Sequence, residues 1–150
     1  MAAMASKRKT AAVVTRLVFA AVFVVNVQCA LGFLLVPGDF TAGFMLEDAG
    51  RVGQIAVAGL GVAFLMWNAT YPPFIVAPDR FCVLGVVILT QQLIGLVGEV
   101  YLYMTIAADH AFAILSASLL RFIVFDGVGL LLMAAALLWL YRASRKGPTL

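Results

Sequence analysis

Four apolar runs divide this chain, each long enough to cross a lipid bilayer. They extend over about Val13–Val36, Val52–Tyr71, Cys82–Ile106 and Ser118–Tyr141. A helix rises ~1.5 Å per residue, so ~20 apolar residues cover ~30 Å of hydrocarbon. Composition agrees: 65% of the 150 residues are hydrophobic and 11% are charged. Soluble domains sit nearer ~45–50% and ~25%. The expected fold is all-α, a four-helix antiparallel bundle embedded in a membrane as one domain over residues 1–150.

The punctuation between the runs fits that layout. Residues 1–10 read as a short, poorly ordered basic tail with Lys7, Arg8 and Lys9. The run from Ala11 to Val36 exceeds the ~7–15 residues of a signal-peptide core and ends in no clean cleavage site, so it is expected to stay as an uncleaved span. Arg16 sits where it can snorkel to headgroups. Pro37-Gly38-Asp39 ends the first run. The segment 38–51 mixes Asp39, Glu47 and Asp48 with Phe40, Phe44, Met45 and Leu46. It is expected to hug the membrane surface or fold back over the bundle mouth. The second run is rich in small residues, with Gly59 and Ala63 at the spacing that lets helix backbones approach. Pro72-Pro73 is expected to stop it. The fourth run extends back to Phe112, too long for one upright span, so it either tilts or begins with a short lid over 111–118.

Charge placement sets the orientation. With the N-terminus inside, the inner side holds Lys7, Arg8, Lys9, Arg16, Arg80, Arg142, Arg145 and Lys146, and the outer loops hold Arg51. The positive-inside rule then predicts both termini in the cytoplasm. The expected location is a bacterial cytoplasmic membrane, with lipid as the surrounding partner and no nucleic acid.

The third run carries the anomaly. Gly85, Gln92 and Glu99 stand seven apart, and Gly95 and Tyr103 join their stripe at helical spacing. Gln91 lies about 100° to the side of Gln92. Lipid gives such a stripe no partners, so it is expected to face protein. Folding the chain at His110 brings Glu99 and Arg121 to equal depth, eleven residues from the turn on either side. A lone charge in the bilayer costs at least ~2.5–3.5 kcal/mol, so the two are expected to pair. A fourth helix starting near Ser118 would instead leave Arg121 near the surface and Glu99 alone. Asp126 lies about 140° around the fourth helix from Arg121, so one neighbour does not serve both. Its depth suggests a hydrogen bond to Gln91 or Gln92, or a contact with Asn26 or Gln28. The candidate ligand-binding or ion-coupling residues are therefore Glu99, Arg121, Asp126, Gln92, Gln91, Asn68, Trp67 and Tyr103.

Other chemistry is thin. His110 is the only histidine, which excludes a bis-His haem within one chain. Cys29 and Cys82 have no partner at metal-ligand spacing and are expected on opposite sides of the membrane. No Walker loop, dinucleotide Gly motif or Ser-His-Asp set is present. Catalytic and metal-ligating residues are therefore not assigned, and a non-enzymatic role is favoured. Gly59, Gly61, Gly95 and Gly98 read as packing positions.

The layout resembles the DoxX-like group of small four-helix bacterial membrane proteins. The residues that carry the likeness are Arg16, Gly32 and Pro37, the partly apolar loop, Gly59 and Gly61, and Phe125-Asp126-Gly127. The resemblance implies a four-helix bundle and an accessory role near respiratory or thiol-redox chemistry. It carries over no catalytic residue, and Trp67-Asn68 and the Gln91-Gln92…Glu99 stripe depart from the group's pattern. Three functions follow in order. The first is an accessory or assembly protein, self-associated or bound to another membrane subunit. The second is a proton-coupled small-solute transporter titrating at Glu99. The third is a redox protein or quinone binder using Trp67, Tyr71 and Tyr103, with quinone the one cofactor considered.

Overall fold

The computed structural model describes the backbone of residues 2–145 and the side chains of residues 6–144. Lys146 and the Arg145 side chain, both assigned above to the inner side, lie outside the described residues. The described chain is all-helical: α1 (Ala2–Leu35), α2 (Gly50–Asn68), α3 (Tyr71–Val76), α4 (Cys82–Ile106) and α5 (Ala113–Arg145), with short 3-10 turns between them. Four segments are long and apolar enough to cross a membrane: Ser6–Leu35, Glu47–Val76, Cys82–Ile106 and His110–Ser144.

Contacts fix the directions of the helices. The Thr15 hydroxyl lies 2.8 Å from the Ala11 carbonyl and 3.1 Å from the Ala136 carbonyl, so the start of α1 meets the end of α5. Phe33, late in α1, meets Phe122, early in α5. Gln92 meets Asp126, while Gly85 abuts Leu137. Neighbouring long helices thus run in opposite directions. One end of the bundle carries the start of α1, the end of α5 and the 77–81 turn, and the other carries the 36–49 and 107–112 connections. We refer to these as the terminal end and the loop end.

Three local expectations change, and one left open between two placements is decided. Residues 2–10 are not a loose tail but the first turns of α1. Alanine at 2, 3 and 5 favours helix, Ala11 and Ala12 are buried against Leu140, and Arg8 reaches Asp79 at 3.3 Å. The fourth helix starts at Ala113 rather than Ser118, after a 3-10 turn over His110–Phe112. No separate lid therefore spans 111–118. Asp109 caps that turn, its carboxylate accepting from the Ala111 N–H at 2.9 Å. Of its two expected placements, segment 37–49 takes the second and folds back onto the bundle mouth, where Phe40 and Phe44 pack edge-on against Phe33, with centroids 4.9 and 5.5 Å away.

The third change matters most. Pro72-Pro73 does not stop the second span. The helix breaks at Ala69-Thr70 and restarts at Tyr71, with the prolines in the first turn of α3. Proline fits there because first-turn N–H groups have no intrahelical acceptor. Had the helix continued, Pro72 and Pro73 would have faced the carbonyls of Asn68 and Ala69 without donors.

The small residues also sort by face. A Cβ on Gly61 would lie 2.7 Å from the Ala30 carbonyl oxygen, and one on Gly95 would overlap the Trp67 ring. Both allow close packing as expected. Gly59 and Gly98 have open space beside them. Gly59 and Ala63 point out of the bundle, because the buried line of α2 is Gly53, Val57, Gly61 and Asn68.

Candidate functional site

The site grows from helical periodicity on α4 and α5. On α4 the interior line runs Gly85, Ile88, Gln92 and on toward Glu99. On α5 it passes Phe122, Phe125, Asp126, Gly129 and Met133. Antiparallel packing sets Asp126 between Gln92 and Glu99, two turns apart on the facing helix.

A chain of polar side chains crosses the bundle at this level. Asn26 of α1 lies beside the Tyr71 hydroxyl. That hydroxyl donates to Gln92 Oε1 at 3.4 Å, and Gln92 Nε2 donates to Asp126 Oδ1 at 2.8 Å. The carboxyl groups of Asp126 and Glu99 then lie within hydrogen-bonding reach of each other. The restarted α3 and the long helices α4 and α5 supply its hydrogen-bonded links, with Asn26 of α1 beside them. Gln92 is buried and uses both ends of its amide, which fixes its orientation.

Glu99 therefore does not pair with Arg121. Among the described residues Arg121 forms no ion pair, and its side chain is exposed. The reason is rotational: α5 turns Asp126 toward α4, and five residues of helix carry Arg121 about 140° away. The expected Asp126–Gln92 hydrogen bond is present, and Gln28 is exposed rather than in contact. Gln91 faces the helix break, with its Oε1 3.2 Å from Thr70 Oγ1. Tyr103 lines neither of the cavities below.

Two cavities flank the carboxyl pair. The more polar one, of about 170 Å³, is lined by Asn26, Cys29, Trp67, Asn68, Gln92, Arg121 and Asp126, with Phe64, Phe122 and Phe125 as aromatic walls. An apolar one of about 330 Å³ lies toward the loop end, between Phe33, Phe44, Leu60, Leu102 and Leu119, with Glu99 on its wall. Phe64 and Phe122 border both.

Buried polar atoms normally find partners, and those that do not call for an explanation. Here Trp67 Nε1, Asn68 Oδ1 and Glu99 Oε2 are buried without a hydrogen bond, and all three belong to residues lining these cavities. Asn68 is only 3% exposed. Its Nδ2 donates to the Phe64 carbonyl at 2.8 Å, which leaves its oxygen unpartnered. Among the described residues no group of three His, Cys, Asp or Glu side chains could hold a metal ion.

Sequence reasoning did not single out Cys29, Phe64, Phe122 or Phe125 as lining residues. The usable signal was spacing: Phe122, Phe125 and Asp126 share one face of α5. Aromatic residues on an interior face ordinarily fill a core, so nothing distinguished these as cavity walls.

The fold and site define a multi-helix protein with a polar network inside helices that are apolar and long enough to cross a membrane. Comparison with protein-family models, curated proteins and solved structures gives no match.

Proposed function

We propose that this chain is a multi-pass protein of a bacterial cytoplasmic membrane that couples a proton to the movement of a small solute. The carrying observation is that the Glu99 and Asp126 carboxyls meet at the border of two cavities, with one Glu99 oxygen unpartnered. Two carboxylates in contact repel, and an apolar setting offers little screening, so such a pair holds a proton between its members. A solute bearing hydrogen-bond donors or positive charge competes for the same oxygens. That competition is the elementary step of coupling.

Three further features support the reading. Phe19, Tyr71, Phe74, Ile88 and Met133 fill the terminal end, while the cavities lie beyond it toward the loops. A site closed on one side is one state of an alternating-access cycle. The break between α2 and α3 supplies a hinge beside Asn68, and interrupted spans of this kind suit midplane binding sites. The terminal end carries most of the Lys and Arg, so it is assigned to the cytoplasm.

Infrared difference spectroscopy in liposomes tests the proton. A protonated-carboxyl band is expected that bleaches reversibly as pH rises and is lost or shifted in Glu99→Gln and Asp126→Asn. A spectrum without such a band, or one that ignores both substitutions, sinks the coupling role. The accessory reading would then lead, and one observation favours it: the outward face of α2 at Gly59 and Ala63 suits helix packing against another chain.

A further inference from the structure

We infer that the solute of this site is an amphiphilic organic amine, its ammonium head held in the polar cavity and its apolar body in the loop-end cavity. The inference rests on the site reading above and deepens it by naming the ligand class.

Hydrogen-bonding inventory carries the choice. The buried unpartnered atoms of the two cavities include two acceptors, Asn68 Oδ1 and Glu99 Oε2, against one donor, Trp67 Nε1. Asp126 adds a carboxylate on the polar side. A head group with several N–H donors satisfies this set, and a positive charge answers the acidic pair. The rings of Phe64, Trp67, Phe122 and Phe125 wall the same cavity, and aromatic faces attract cations. The second cavity offers apolar side chains almost throughout, with Glu99 and Thr105 its polar members. The two volumes, about 170 and 330 Å³, share the walls of Phe64 and Phe122, and their sum falls within the ~300–1,000 Å³ of ordinary small-molecule sites.

Arg121 is the opposing consideration, since its cation lines the polar cavity. It would favour an amphiphilic carboxylate instead. Its side chain is exposed, however, whereas the unsatisfied acceptors are buried. The interior sites, not the exposed one, therefore decide the head group.

Trp67 provides the readout. In a Trp139→Phe background it is the sole tryptophan, because the chain has two. The full-length protein in lipid nanodiscs is titrated with decylamine, decyltrimethylammonium, decanol and decanoate, following Trp67 emission. Decylamine is expected to give a saturable shift. Decyltrimethylammonium, which has the charge but no N–H, should bind at least roughly tenfold more weakly, as expected for lost charge-assisted hydrogen bonds. Decanol and decanoate should be weaker still.

Asp126→Asn is expected to reduce decylamine affinity by a similar factor. If that variant fails to fold, Asn68→Ala removes the second acceptor and should weaken decylamine by a similar factor while leaving decanol binding unchanged. Equal or tighter binding of decanoate overturns the inference in favour of an anion on Arg121. Indifference to chain headgroup, or decylamine binding untouched in whichever variants fold, overturns it in favour of a lipid tail filling space. Because proton titration of the carboxyl pair is measured without any solute, its failure and the failure of the amine assignment are separate results.

Discussion

The two ends of this bundle are built differently. At the terminal end Phe19 sits 4.5 Å from Phe74 and 6.3 Å from Tyr71, centroid to centroid, and Ile88 and Met133 close around them. Every one of these side chains is fully buried. At the loop end comparable aromatics, Phe33, Phe44, Phe64 and Phe122, stand 5.5 to 6.3 Å apart and line a cavity instead of filling one. Similar residue types thus make a plug at one end and a chamber at the other. The difference lies in α3. Its restart at Tyr71 swings Tyr71 and Phe74 into the terminal core, and nothing equivalent fills the space beside Glu99.

Breaking the plug should have the largest effect. Phe74→Ala removes a fully buried ring packed on Phe19 and Gly85. A loss of about 3–5 kcal/mol is expected, read from thermal or denaturant unfolding in detergent. A loss below about 1 kcal/mol would mean that the terminal end is not the tighter one.

Gly95→Ala probes the boundary between the ends. Its new methyl meets the Trp67 ring, which must move toward the polar cavity. Destabilisation of about 1–3 kcal/mol is expected, together with a change in Trp67 emission.

Leu102→Phe sharpens the comparison from the hollow side. The larger ring has the apolar cavity to enter. Stability should change by less than about 1 kcal/mol, since a void is being filled rather than a packed core expanded, while binding to the chamber falls. A loss as large as that of Phe74→Ala would show the chamber to be as tightly packed as the plug.

The Arg8–Asp79 pair should matter least. Its side chains are 52% and 41% exposed. Asp79→Asn is expected to change stability by about 0–1 kcal/mol, with added salt masking the effect.

The spans were legible in the sequence because length and apolarity are properties of each segment taken alone. The stripe of Gln92 and Glu99 was legible too, since seven residues return to the same helical face. The partner of Glu99 was not. Depth matching alone placed Arg121 opposite it, but depth ignores rotation, and only one of Arg121 and Asp126 can face α4. The restart at Tyr71 was hidden for a related reason. Tandem prolines serve equally as a stop or as a first turn, and the choice depends on whether the residues beyond find a core.

The sequence by itself therefore determined that four apolar helical spans form, and that Gln92 and Glu99 share one face of α4. Those properties depend on periodicity and on the solvent each segment meets. Only the tertiary structure decided that Asp126 rather than Arg121 meets Glu99, that α2 breaks beside Asn68, and that one end is filled and the other hollow. These depend on how helices are rotated against one another, and that rotation is set by all the packed faces at once.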